Sequence, residues 1–115
     1  MEITTQKTGE TITLGLQGEL DASSSIRLDK ELESAMMSKT DKILVDCAQL
    51  SYISSAGLGV FMSYLHDFEV RKISIALFNV SEKVKDVFYI LGLDSLIRIS
   101  DSKEDAAAFV NELYV

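Results

Sequence analysis

Lys42-Ile43-Leu44-Val45-Asp46, followed after seven residues or so by Ser54-Ser55-Ala56-Gly57-Leu58-Gly59-Val60, is the stretch on which the fold turns. Ile43-Leu44-Val45 is a short branched apolar run, the pattern of a strand covered on both faces as in a parallel sheet. From Ala56 to Arg71 the apolar residues Leu58, Phe61, Met62, Leu65 and Phe68 recur at helical spacing. A buried strand feeding an apolar helix is half of a strand–helix–strand unit. The connection between them, Cys47 to Ile53, is longer than the roughly 2–6 residues usual for such a loop. Leu50 and Ile53 are therefore expected to plug it into the core.

Working outward, the flanks repeat the unit. Thr11 to Gln17 alternates, with Ile12, Leu14 and Leu16 on one face, and pairs with a weaker strand, Ile3 to Lys7, through a turn at Gly9-Glu10. Gly18-Glu19-Leu20-Asp21 breaks the alternation. Asp21 or one of Ser23, Ser24 and Ser25 then caps a helix striped by Leu28, Leu32, Ala35 and Met36, closed by Ser38 to Asp41. Downstream, Ile73 to Phe78 reads as a strand. Asn79-Val80-Ser81 caps a helix with Val84, Val87, Phe88 and Leu91 inward and Gly92 just past its end. Leu96 to Ile99 is a short last strand. Ser102 to Asp105 opens a final helix that buries Ala106, Phe109, Val110 and Leu113. The order is a hairpin followed by alternating helices and strands: an α/β fold, with a mixed, mostly parallel sheet, right-handed crossovers and four helices.

Composition sets limits. A chain of 115 residues, 47% hydrophobic and 25% charged, fits one domain spanning residues 1–115 with a core of its own. A net charge of −7 argues against nucleic acid, whose phosphates call for a basic surface, and suits a partner with a basic patch. No apolar run reaches the length of a membrane span, and the first residues lack a signal-peptide pattern. With a single cysteine, Cys47, a cytoplasmic location is the expectation. One cysteine and one histidine, His66, make no catalytic triad or zinc site, so neither catalysis, a metal nor a cofactor is expected. His66 reads as a helix-surface residue and Cys47 as packed and inert. Asp21 and Asp46 lack the further groups of a phospho-receiver metal site.

Strand-to-helix loops gather at the carboxyl edge of a parallel sheet, where ligands are met. Three are expected there: Gly18 to Asp21, Asp46 to Ser55, and Asn79 to Ser81. Asp21 should therefore neighbour the paired hydroxyls Ser54 and Ser55. A serine at a helix mouth is either a plain N-cap or a place where phosphate is welcome, and the residues alone leave both open. Gly57 and Gly59 each cost roughly 1 kcal/mol of helix propensity against Ala, which favours close approach of another backbone, although Gly57 also fits plain packing on the sheet.

Gly18-Glu19-Leu20-Asp21, Ile43 to Asp46, Leu50-Ser51-Tyr52-Ile53-Ser54-Ser55-Ala56-Gly57-Leu58-Gly59 and Leu91-Gly92-Leu93 together resemble the STAS domain, and more narrowly the single-domain bacterial anti-sigma factor antagonists. The resemblance covers essentially the whole chain. It implies a non-catalytic partner switch. The unphosphorylated antagonist binds an anti-sigma factor that is also an ATP-dependent serine kinase, phosphorylation of a serine at the helix mouth ends the binding, and a serine phosphatase restores it. The family motif reads Asp-Ser-Ser/Thr-Gly-Leu-Gly with the first hydroxyl as acceptor. Aligned on Gly57-Leu58-Gly59, it implies Ser55 as acceptor, with Ser54 where Asp is usual and Ala56 at the second hydroxyl. Ser54 stays an alternative acceptor. Asp21 falls on the family's acidic residue near the phosphosite. The partner-facing set is then Asp21, Ser54, Ala56, Gly57, Gly59, Val60 and Tyr64, the last two because they fall off the core stripe that holds Leu58 and Phe61. The competing reading is a STAS-like module that senses a small anion or nucleotide at the same helix mouth.

Overall fold

The computed structural model describes residues 1–113. Its elements are β1 (Glu2–Thr8), β2 (Thr11–Leu20), α1 (Ser25–Met37), β3 (Lys42–Ile53), α2 (Ser55–Val70), β4 (Ser74–Phe78), α3 (Glu82–Ile90), β5 (Arg98–Ser100) and α4 (Lys103–Glu112). A single turn of 3-10 helix, Leu93–Ser95, joins α3 to β5. The five strands lie in the order β1-β2-β3-β4-β5; β1 is antiparallel to β2, and the remaining pairs are parallel. This is the α/β, mixed and mostly parallel sheet with four helices that the sequence pattern predicts.

Because strand order never reverses, right-handed crossovers put α1, α2 and α3 on one face. Leu28, Leu32, Leu58, Phe61, Phe68, Val84 and Phe88 from those helices meet Ile12, Leu14, Leu16, Ile43, Val45 and Leu77 in one core. After β5 the chain crosses to the other face. There Ala106 and Val110 of α4 close a smaller core over Leu44, Ala76 and Phe78. The strictly apolar β4 is thus covered on both sides, as all five of its residues are buried.

Four expectations are corrected, the first being Leu91, which is exposed past the end of α3 and not inward. Cys47 to Ile53 is no loop: β3 runs straight on to Ile53, paired with an equally prolonged β2 through Gln17↔Gln49, Gly18↔Leu50, Glu19↔Tyr52 and Leu20↔Ile53. Two register shifts each place an extra residue on β3, which hid the strand's alternation. Those shifts turn both Leu50 and Ile53 inward, so the expected plug holds. The last strand starts at Arg98, because Leu93 to Leu96 is spent on the 3-10 turn that follows the left-handed Gly92. In α4, Leu113 is exposed, and Phe109 is only half-buried beneath the Arg98 guanidinium, 5.1 Å from the ring centroid.

Candidate functional site

The prolonged β2–β3 pair carries the helix mouth. β4 stops at Phe78, level with Asp46 and Gly15, whereas β2 and β3 continue to Leu20 and Ile53. Five further residues of β2 correspond to about 17 Å of strand. Ser54 and Ser55 therefore stand on a ledge beyond the rest of the sheet. The loop 79–81 does not join them. It sits beside Asp46, whose carboxylate accepts from Asn79 Nδ2 at 3.3 Å and from the Ala48 N–H at 3.0 Å.

The two remaining loops do meet. The Ser54 N–H donates to the carbonyl of Leu20 at 2.8 Å, which fixes the mouth of α2 against the residue preceding Asp21. The Asp21 carboxylate organises its own turn, accepting from the Ser24 N–H, the Ser24 hydroxyl and the Ser23 hydroxyl at 2.9–3.0 Å. These bonds, that from the Ser24 backbone first, hold its pKa down to about 2. It is thus a fixed negative charge next to the ledge. Ser24 stands at the N-cap of α1 without a side-chain cap bond, because its hydroxyl is engaged with Asp21 and the Glu19 carbonyl.

The paired hydroxyls differ in what they do. Ser54 is the N-cap of α2: its backbone is extended and its Oγ accepts from the Gly57 N–H at 3.2 Å. Ser55 is the first helical residue and is exposed. The two glycines also differ. A Cβ on Gly57 would lie 2.7 Å from Leu20 Cγ and 3.2 Å from Ile53 Cγ1, whereas one on Gly59 would meet nothing within 4 Å. Gly57 is therefore spent on close approach to the chain's own β2, while Gly59 is open on the exposed side of α2. Ala56 is exposed and Val60 half-buried.

Tyr64 departs from its expected place. It is 8% exposed, stacked at 5.5 Å between ring centroids with Phe68, and its hydroxyl donates to the Asp29 carboxylate on α1. It clasps α1 to α2 inside the core instead of facing a partner. Helical spacing in fact places it there, three residues after Phe61 and four before Phe68, and the stripe expected from the sequence was drawn too narrowly to include it. Burial, followed by the Asp29 bond, raises its pKa. Cys47 is buried, with its thiol pushed up to about 12 chiefly by that burial, and His66 is exposed, both as expected. Tyr52 is an exposed aromatic, 43% accessible, two residues before the mouth, that the spacing argument did not single out. Its alternation with the buried Ile53 would have exposed it. A small hollow of about 160 Å³ lies elsewhere, on the uncovered face of β1–β2–β3, lined by Thr4, Gly15, Gln17, Asp46 and Gln49.

The fold and ledge define a class: a singly wound α/β domain in which a serine-bearing helix mouth, flanked by a fixed carboxylate, stands beyond the rest of the sheet. Comparison with known proteins agrees. The STAS domain model matches residues 2–106, and the chain belongs to that family. It is 29% identical over 90 residues to an anti-sigma-B factor antagonist of Listeria monocytogenes, covering 78% of this chain and 79% of that one. It is likewise 29% identical over 108 residues to a protein of Bordetella bronchiseptica described as an anti-sigma factor antagonist, BtrV, covering 94% and 93%. Among solved structures, the phosphorylated form of the Bacillus cell fate determinant SpoIIAA superimposes with a TM-score of 0.72 at 23% identity, over 95% of this chain and 99% of that one.

Proposed function

We propose that this protein is an anti-sigma factor antagonist: it binds an anti-sigma factor that is also a serine kinase, and phosphorylation of Ser55 releases it. The observation that carries the reading is the division of labour at the mouth of α2. Ser54 Oγ is committed to the Gly57 N–H, and Ser55 is exposed one residue further on. A partner's active site can reach Ser55 Oγ without unfolding the domain. The Ser55 oxygen forms a bond to the γ-phosphorus of ATP as the bridge to the β-phosphate breaks; the serine proton passes to a base on the kinase, and ADP leaves. The product carries about −1.5 to −2 charges. The helix N-terminus tolerates them, but the partner must desolvate them beside ionised Asp21. A loss of about 3 kcal/mol would lower affinity more than a hundredfold. A serine phosphatase resets the switch, and the cytoplasm is the compartment in which such a kinase works.

The partner-facing surface is then Ser54, Ser55, Ala56, Gly59 and Val60 with Asp21 at its rim; Gly57 supports it from beneath. The experiment is capture of the cognate kinase by wild type, Ser55→Ala and Ser55→Asp protein, together with intact mass after incubation with ATP. The expected result is retained capture by Ser55→Ala, weakened capture by Ser55→Asp, and one phosphate added to wild type but none to Ser55→Ala. Full phosphorylation of Ser55→Ala would move the site elsewhere, and equal capture of all three would remove the switch.

A further inference from the structure

We propose that β1 is a self-pairing edge, through which two copies of this chain join antiparallel into one continuous sheet about a two-fold axis at Thr5. The two edges of the sheet are unlike. β5 has three residues, too few to template another strand, whereas β1 has seven in unbroken register with β2 from Glu2↔Gln17 to Thr8↔Thr11. It carries no proline and no bulge, two of the devices that blunt an edge, and its one lysine, Lys7, finds an opposite charge in the two-fold pairing.

The hairpin settles which backbone groups face out. Gly9 has φ +63° and Glu10 is not left-handed, the pattern of a two-residue turn with Gly in its first position. Thr8 and Thr11 then close the hairpin as a hydrogen-bonded pair. By alternation Gln6, Thr4 and Glu2 also bond to β2, which leaves the N–H and C=O of Ile3, Thr5 and Lys7 pointing away from it. Those three positions are self-complementary. With Thr5 opposite Thr5 of the second copy, Ile3 falls opposite Lys7 and Lys7 opposite Ile3. Each pair can exchange two N–H···O=C bonds, and every side chain keeps to its own face of the joined sheet.

Charge selects the same register. Thr5 Oγ1 donates to Glu31 Oε2 of α1 at 3.0 Å, so the Glu31 carboxylate hangs over the middle of β1. Among the described residues neither Glu31 nor Lys7 forms an ion pair within the chain. In the two-fold pairing Lys7 lies diagonal to Thr5 of the second copy, a separation that long side chains span. Its ammonium therefore reaches the second copy's Glu31, and the symmetry makes two such pairs. The antiparallel arrangement points the two carboxyl edges in opposite directions, so both Ser55 ledges stay open.

An edge contact of this kind is small and belongs with weak, concentration-dependent interfaces. The test is sedimentation equilibrium over loadings from about 10 μM to about 1 mM. Wild type is expected to rise from 12.7 kDa toward twice that mass. Thr5→Pro removes an outward N–H without breaking a bond to β2, and edge strands accept proline; circular dichroism checks that it stays folded, and its mass should not rise. Lys7→Glu should weaken association several-fold, and Lys7→Glu with Glu31→Lys should restore it, a readout independent of Thr5. Wild type that stays at chain mass throughout, or Thr5→Pro or Lys7→Glu protein that associates as wild type does, overturns the self-pairing edge. Failure of the charge swap to restore association overturns this register.

Discussion

At Ser54 and Ser55 two neighbouring, chemically identical side chains have different consequences when truncated. Ser54→Ala removes the acceptor of the Gly57 N–H and should cost about 1 kcal/mol, within the usual 0.5–2 for a lost N-cap; urea denaturation measures it. Ser55→Ala, at an exposed position without that role, should fall within about 0.5 kcal/mol of wild type. The glycines form a second contrasting pair. Gly57→Ala drives a methyl to 2.7 Å from the fully buried Leu20, an overpacking cost of about 1–3 kcal/mol that exceeds its gain in helix propensity. Gly59→Ala meets nothing and should stabilise by roughly 0.5–1 kcal/mol, while reducing kinase capture if a partner backbone lies against it. Asp21 makes a pH statement. Its folded pKa is about 2 against an ordinary aspartate value of 3.8, so its contribution is complete above the unfolded value and is lost as pH falls from about 4 through 2. Thermal melts of Asp21→Asn should lack that part of the acid-side decline.

At the scale of elements, α1 and α2 are held together by one polar contact in an apolar seam, Tyr64 to Asp29. Asp29 is itself exposed and can turn to water, so Tyr64→Phe should cost only about 0.5–1.5 kcal/mol, the net value of one hydrogen bond. The folded pKa of Tyr64 is raised, so the contact stabilises fully below the ordinary tyrosine value near 10 and is lost above it. An ultraviolet titration should show one tyrosine ionising late, held back until the protein unfolds in base, and Tyr64→Phe should abolish that late step. The inward side of this clasp was legible in spacing, since Tyr64 lies three residues after Phe61 and four before Phe68 on the buried face, but its Asp29 partner on another helix was not. The order of strands and helices was legible, since each strand is bounded by turn residues and each helix keeps a period of its own. The length of β3 was not. Its bulges put Ala48, Gln49, Ser51 and Tyr52 in phases that neither strand nor helix explains, and only pairing with β2 accounts for them. The proposed acceptor, Ser55, rests on family resemblance, because a serine cap and a serine phosphosite look alike in sequence; the structure adds only that Ser54 is a cap, through its bond from the Gly57 N–H.

For the whole molecule, the ledge bears on how the proposed switch would operate. Ser55 stands about 17 Å of strand beyond the end of β4, on a β2–β3 pair braced by Leu20, Leu50 and Ile53 in the main core. An anion added there points to solvent and touches neither core. With the chain already at −7, two more charges add little self-repulsion at ordinary ionic strength, where the screening length is about 8 Å. Phosphorylation should therefore leave the fold alone and act only on what docks. Amide chemical shifts of the phosphorylated protein should move over residues 20–25 and 53–60 and hold still across β4, α3 and α4, with the denaturation midpoint nearly unchanged. Shifts that spread through β4 and α4 would mean instead that the phosphate rearranges the domain, and the partner would then be reading a changed fold, not a blocked surface.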